Sequence, residues 1–257
     1  MLANYHTHTY RCRHAEGEDR EYVEAAIESG LKVLGFSDHC PWIFPDRYAS
    51  AIRMDEGQVE DYFTSLTALK KEYADDITIY IGFEAEYLPP LMEAQERLLE
   101  GYPLDYMIMG QHFVEPEPFG DYMGRPTDSE EVLKRYIDSI IAGMETGKYK
   151  YVAHPDLLAF EGDREIFRSH YSRLCRYLKE KNIPVEINLL GVRNFRHYPS
   201  DEFLAMAHNE GNSAIIGCDA HQPELLNYKA GVAICESLAE KYELPLVDYL
   251  EGLGPEK

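Results

Sequence analysis

Imidazole side chains recur along this sequence at spacings that could bind metal ions. His6 and His8 stand two residues apart near the start of the chain, and Asp219 and His221 repeat that spacing near its end. In an extended segment, residues two apart point to the same face, so each pair could offer two ligand atoms to one ion. Imidazole and carboxylate groups suit Zn, Mn or Fe, and we expect no cysteine thiolate among the ligands.

Other candidate ligands stand alone, most of them directly after a short apolar segment. They are one glutamate and four histidines: His14, His39, Glu84, His112 and His154. A lone histidine is more often a surface or core residue than a ligand, so we expect His170, His197 and His208 to lie outside the site. The recurrence of histidine or acidic residues after nearly every apolar segment predicts a shared metal centre.

The segments that would position these side chains alternate between two types. Short runs rich in Val, Ile, Leu, Tyr or Phe predict seven strands: Leu2–His6, Val33–Ser37, Thr78–Phe83, Tyr106–Gly110, Tyr151–His154, Pro184–Asn188 and Ser213–Gly217. Amphipathic stretches between them predict helices: Arg20–Ser29, Gln58–Tyr73, Leu91–Leu99, Ser129–Met144, Arg164–Lys181, Glu202–Asn209 and Gly231–Tyr242.

Strands that alternate with helices form parallel sheets, so the pattern predicts an α/β fold. Seven such units in about 250 residues favour a TIM-like barrel over an open, doubly wound sheet. In barrels of this type, the side chains that do chemistry lie at the carboxyl ends of the strands. The candidate ligands stand at those ends.

Composition excludes several other functions. The chain has 25 Lys and Arg against 46 Asp and Glu, a net charge of −21, whereas nucleic-acid binding needs clustered positive charge. No apolar run approaches the ~18 residues of a membrane span. Five scattered cysteines predict reduced thiols and a cytoplasmic protein. Because no linker or repeat divides the chain, we expect residues 1–257 to form a single domain.

Six short motifs that contain these candidates occur in order: HTH at 6–8 with His14 downstream, GFSDH at 35–39, GFE at 82–84, GQHF at 110–113, AHPD at 153–156 and GCDAH at 217–221. Together they resemble the motif series of the PHP superfamily, named for polymerase and histidinol phosphatase. Segments 35–42, 82–89 and 186–200 resemble its histidinol-phosphate phosphatase branch. The resemblance implies a distorted seven-stranded (β/α) barrel, in agreement with the strand count.

When the motifs are matched one by one, the resemblance implies a centre of three divalent metal ions. Whether these ions are Zn, Mn or Fe stays open. The first ion would be held by His6, His8, Glu84 and Asp219. Glu84 would bridge to a second ion held by His112 and His154. The third ion would be held by His14, His39 and His221.

The implied reaction is hydrolysis of L-histidinol phosphate, a small phosphomonoester of histidine biosynthesis, to L-histidinol and phosphate. The nucleophile would be a hydroxide that bridges two metal ions. Arg193 would bind the phosphate, with Arg196 as the second candidate, since a guanidinium binds phosphate oxygens bidentately. Asp219 or a metal-bound water would protonate the leaving alkoxide.

Recognition of the rest of that substrate would need a carboxylate for the ammonium group and a surface for the imidazole ring. Glu115 is a candidate for the carboxylate. Phe113, Trp42 and Tyr87 are candidate walls, although aromatic residues usually serve the core.

Three further acidic residues stand beside the motifs. Asp38 and Asp156 are candidates to orient the neighbouring imidazoles as hydrogen-bond acceptors. Glu86 is interpreted as a solvated or ion-paired residue.

Other phosphatase chemistries find no support, since the sequence lacks Cys-x5-Arg, Asp-x-Asp after a strand, and GxxxxGK[ST]. Two alternative functions stay open. One is a phosphoesterase of the same superfamily that acts on another small phosphomonoester, such as a nucleotide or sugar phosphate. The other is a non-catalytic metal-binding regulatory module, which is disfavoured because every expected ligand position is filled.

Overall fold

Parallel strands form the centre of the fold. The computed structural model describes residues 1–256, and in that range the chain forms six strands: β1 (Ala3–Asn4), β2 (Val33–His39), β3 (Thr78–Ala85), β4 (Tyr106–Met109), β5 (Val185–Asn188) and β6 (Ala214–Gly217). β1, β2, β3 and β4 pair in that order in one curled sheet, and β5 pairs with β6. The predicted α/β class and the parallel pairing are confirmed.

The fifth predicted strand, Tyr151–His154, is not a continuous strand. Val152 makes single parallel bridges with Met109 of β4 and Val185 of β5. The backbone at His154 has φ 31°, outside the extended region, so the segment cannot continue as a strand. A four-stranded sheet and a two-stranded sheet thus stand where seven regular strands were predicted.

Helices cover the sheets, and all seven predicted helices are present with ends shifted by at most two residues: α1 (Asp19–Ser29), α2 (Val59–Glu72), α3 (Pro89–Leu99), α4 (Glu130–Glu145), α5 (Arg164–Glu180), α7 (Asp201–Asn209) and α8 (Lys229–Lys241). α6 (Leu189–Arg193) was not predicted, because five residues are too few to show a helical period. In α4, the Ser129 side chain caps the first turn and Leu133, Ile137 and Ile140 form the buried face.

Two apolar regions hold these layers together. The larger one lies between the strands and the helices, and the smaller one contains Tyr5, Tyr106 and Tyr151 together with Leu250 and Leu253. The hydroxyl of Tyr5 donates a 2.6 Å hydrogen bond to the carbonyl of Leu253. The C-terminal segment therefore packs against the inner faces of the strands, and the polar side chains collect at the carboxyl ends of the strands. No helix within residues 1–256 is both long and apolar enough to cross a bilayer.

Candidate metal centre

One carboxylate, that of Glu84, lies among five imidazoles. Glu84 is near the end of β3, is 1% exposed, and is paired in register with His39 of β2. The distances from its oxygens to the nearest imidazole nitrogens are 2.9 Å for His154, 3.1 Å for His39, and 3.5 Å for each of His6, His8 and His112. Strand register thus brings together ligand types that are far apart in sequence.

Asp219 extends this group toward the surface. Its Oδ1 atom lies 3.2 Å from His8 Nε2 and 3.3 Å from His221 Nδ1. The Nε2 atoms of His221 and His14 are 2.9 Å apart. All nine predicted ligands therefore lie in one connected group, which we call the metal cluster after the ions that it is predicted to hold: His6, His8, His14, His39, Glu84, His112, His154, Asp219 and His221.

The donor atoms of the metal cluster fit bound cations. Buried atoms without a hydrogen-bond partner include His6 Nε2, both ring nitrogens of His8, His39 Nδ1 and Glu84 Oε2. Buried polar atoms are ordinarily paired, so such a concentration indicates ligand atoms. Within residues 1–256, ligand atoms lie within 4.8 Å of one another in several groups: His6, His8 and Asp219; His6, Glu84 and His154; His8, His39 and Glu84; and His14, His39 and His221.

Cys12 was not expected near this group. It is buried, and with His8 and His221 it forms a further set of potential ligand atoms. The short helical turn Tyr10–Cys12 folds the chain back and brings this thiol beside the histidines. The expectation that no thiolate is among the ligands stays a prediction.

Three buried carboxylates lie behind imidazoles of the metal cluster. Glu186 Oε1 is 2.8 Å from His6 Nδ1, Glu86 Oε1 is 3.1 Å from His112 Nδ1, and Asp38 Oδ1 is 3.4 Å from His8 Nδ1. Glu186 and Glu86 are acceptors of the kind that fix the tautomer and orientation of metal-binding imidazoles. Asp38 lies close to His8 Nδ1 without a hydrogen bond to it, so its role in orienting an imidazole stays a prediction. Glu86 is fully buried and ion-paired rather than solvated.

Glu186 was missed by the sequence analysis. It also accepts hydrogen bonds from the Tyr151 hydroxyl and the backbone N–H of His154, at 3.1 Å and 2.6 Å. The available signal was an acidic residue inside the apolar strand β5, where an ionised side chain needs partners.

Two glycines leave room for these carboxylates. A Cβ atom at Gly110 would overlap Glu84 Oε1, and one at Gly217 would overlap Glu186 Oε1. Any side chain at these positions would displace the carboxylate that orders the metal cluster. The glycines that open two of the sequence motifs therefore have a steric cause.

The charges of the metal cluster change the pKa values of its members. Burial alone would raise the pKa of Glu84 and Asp219, but the surrounding imidazoles hold both pKa values well below the ordinary range. Burial disfavours charged His6, yet Asp219 and two further carboxylates raise its pKa to about 10. Burial and the neighbouring His221 lower the pKa of His14 to about 4. A cation bound at His6 would compete with its proton, so the affinity for that cation would fall at acid pH.

The metal cluster opens into a cavity of about 660 Å³. Three arginines line it, Arg125, Arg193 and Arg196, and the structure thus places both predicted phosphate-binding residues beside the cluster. Arg193 ends α6, whose first turn is capped by the Asn188 side chain. Cationic side chains above a group of metal ligands suit an anionic ligand such as a phosphate.

The family profile of the PHP domain matches residues 4–189. This chain belongs to the PHP domain family. A probable histidinol-phosphatase of Deinococcus radiodurans is 27% identical over 243 residues, covering 91% of this chain and 92% of that protein. The histidinol-phosphatase of Bacillus subtilis is 25% identical over 255 residues, covering 87% of this chain and 94% of that protein.

A solved structure shares the fold of this PHP domain. It is the histidinol phosphate phosphatase of Lactococcus lactis complexed with Zn, L-histidinol and phosphate. The TM-score is 0.74 at 20% sequence identity, and the match covers 100% of this chain and 99% of the other.

Several predicted residues lie away from the cavity of the PHP domain. Glu115 does not line it: its carboxylate is 2.6 Å from Arg135, in a neighbouring recess. Trp42 is buried and its indole N–H donates to Glu86 at 3.0 Å, so its side chain packs inside the protein and does not line the cavity. Among the candidate walls, Phe113 lines the cavity, whereas Tyr87 is outside its lining.

Asp156 does not orient an imidazole. It accepts a 2.7 Å hydrogen bond from the backbone N–H of Ser200, and burial raises its pKa to about 6. The three remaining histidines lie outside the metal cluster, as expected: His170 and His208 are 3.6 Å and 4.0 Å from surface glutamates, and His197 is bonded to the carbonyl of Leu157 at 2.6 Å.

Proposed function

We propose that this chain is a metal-dependent phosphomonoesterase that hydrolyses L-histidinol phosphate to L-histidinol and phosphate. The observation that carries the proposal is the metal cluster, which forms the floor of a cavity whose wall carries arginines. The choice of substrate is supported by relatives named histidinol-phosphatase that match over most of their length.

The nine side chains of the metal cluster would hold three divalent ions of Zn, Mn or Fe. Support comes from the separate groups of ligand atoms, of which His6, His8 and Asp219 form one and His14, His39 and His221 another. Glu84 stands between the inner groups with both oxygens facing imidazoles, which suits a bridging ligand. When bound, divalent ions neutralise phosphate oxygens and lower the pKa of coordinated water towards neutrality, which supplies hydroxide.

The side chains of this protein bind the substrate and move its protons. Arg193 and Arg196 bind the phosphoryl oxygens and hold the phosphorus for in-line attack. The carboxylate of Asp219, which lines the cavity, would accept the proton of the attacking water and pass it to the leaving oxygen.

We also propose that the strands form a distorted seven-stranded barrel in a single domain, with the segment around Val152 as the seventh strand. Support comes from the parallel bridges of Val152 to both neighbouring strands and of Thr7 to Ala220. Free cysteines at all five positions support a reducing compartment such as the cytoplasm.

The test is a phosphate-release assay on protein whose metal content has been measured. L-histidinol phosphate is compared with about a dozen phosphomonoesters, including nucleotides and sugar phosphates. We expect L-histidinol phosphate to be hydrolysed most efficiently, and activity to disappear on chelation and return with added metal. A preference of less than about tenfold in kcat/KM, about 1.4 kcal/mol, would contradict the substrate assignment.

A further inference from the structure

A carboxylate outside the metal cluster lies on the cavity wall. Among the described residues that line the cavity, the carboxylates are those of Asp219, which belongs to the metal cluster, and Glu117. The side chain of Glu117 is 8% exposed. The cavity therefore contains a negative side chain that the metal cluster does not use.

Three donors hold Glu117 in one orientation. Its Oε1 accepts from Ser50 Oγ at 2.8 Å and from the Tyr48 hydroxyl at 3.2 Å, and its Oε2 accepts from Arg53 Nε at 2.9 Å. A carboxylate offers about four lone-pair sites, so it can accept a further donor. Because its position is already fixed, little conformational entropy is lost when that donor binds.

The ion pair with Arg53 does not cancel the negative charge. Arg53 is 1% exposed and also pairs with Glu86, the carboxylate behind His112. One guanidinium thus serves two carboxylates, and these three side chains together carry one net negative charge. A cationic ligand group beside Glu117 would balance that charge.

We infer that Glu117 binds the ammonium group of the substrate and sets a preference for phosphomonoesters that carry an amine. This rests on the proposed function, whose substrate carries its ammonium on the carbon next to the phosphoester-bearing carbon. Arg193 and Arg196 then meet the phosphate, and Glu117 meets the ammonium. Sugar phosphates and nucleotides bring no such cation, so their binding leaves the net negative charge of Glu117, Arg53 and Glu86 unbalanced beside the ligand.

The experiment compares L-histidinol phosphate with 3-(imidazol-4-yl)propyl phosphate, in which hydrogen replaces the amine. We expect Glu117→Gln to lower kcat/KM for L-histidinol phosphate by about 10- to 100-fold, the cost of losing a hydrogen bond between charged groups. For the deamino compound, the change is expected to be less than about twofold. Glu117→Asp keeps the charge and retains part of the preference for the amine.

The matched control is Glu115→Gln, which removes the same charge two residues earlier in the same loop. Glu115 pairs with Arg135 outside the cavity, so the preference for the amine stays at its wild-type value. Equal losses on both substrates in Glu117→Gln, or loss of the preference in Glu115→Gln, would overturn the inference.

The wild-type protein separates this inference from the proposed function. If it does not favour L-histidinol phosphate over the other phosphomonoesters, the proposed function fails. If it does favour that substrate, and Glu117→Gln keeps the wild-type ratio between the amine and deamino compounds, only the assignment of Glu117 fails.

Discussion

The metal cluster forms the floor of the cavity, and Arg193, Arg196 and Glu117 lie on its wall. These two regions are built in different ways. On the floor, Glu84 and His6 are nearly inaccessible to solvent, stand at strand ends, and have several polar neighbours each. On the wall, Arg193 and Arg196 are exposed, and a 3.5 Å contact to Gln222 is the closest polar partner that the described residues offer to Arg193. The floor is therefore ordered before any ligand binds, whereas Arg193 on the wall is free to take its orientation from a bound ligand.

Glu84→Gln is expected to have the largest effect, because that carboxylate faces five imidazoles at once. We expect kcat/KM to fall at least about 1,000-fold, about 4 kcal/mol in transition-state stabilisation, together with loss of bound metal. Metal analysis and steady-state kinetics measure both effects. The control Glu240→Gln changes an exposed side chain of α8 and leaves both unchanged. A Glu84→Gln protein with full metal content and activity would show that the floor does not depend on the Glu84 carboxylate.

The floor could be predicted from the sequence and most of the wall could not. A ligand at a strand end keeps its place because strand register fixes it, as His39 beside Glu84 illustrates, and the motifs identified all nine members. The direction of a loop depends on tertiary contacts instead: Glu115 and Glu117 are two residues apart, and one faces Arg135 while the other faces the cavity. Glu186 was missed for a different reason, since its partners His6 and Tyr151 come from separate segments of the chain.

Glu186→Gln tests whether the floor depends on the carboxylates behind its imidazoles. The amide keeps the shape and an acceptor oxygen but loses the charge that faces His6 at 2.8 Å. We expect metal affinity to fall about 10- to 100-fold, with much of kcat recovered at saturating metal. Competition with a chelator of known affinity measures the change. Unchanged affinity would mean that Glu186 serves only the packing around Tyr151.

Arg193→Ala tests whether the wall can be changed without any effect on metal binding at the floor. Because this guanidinium is proposed to bind the phosphate and has Gln222 as its closest polar partner, we expect KM to rise about tenfold while metal content and affinity stay at wild-type values. Initial rates at saturating metal, together with metal analysis of the same sample, give both quantities. Loss of metal from this variant would show that wall and floor are coupled.

Tyr198→Phe is expected to have the smallest effect and sharpens the account of the wall. The Tyr198 hydroxyl lies 2.5 Å from Arg196 Nη1, and the ring is 2% exposed, so the substitution removes one hydrogen bond and leaves the packing in place. A hydrogen bond of this kind contributes about 0.5–1.5 kcal/mol, and we expect KM to rise about threefold. If Tyr198 acts by positioning Arg196, then Arg196→Ala and the double variant have the same KM, because the second change removes a partner that is already lost. Independent, multiplicative effects in that double-mutant cycle would show instead that Tyr198 acts on the substrate directly.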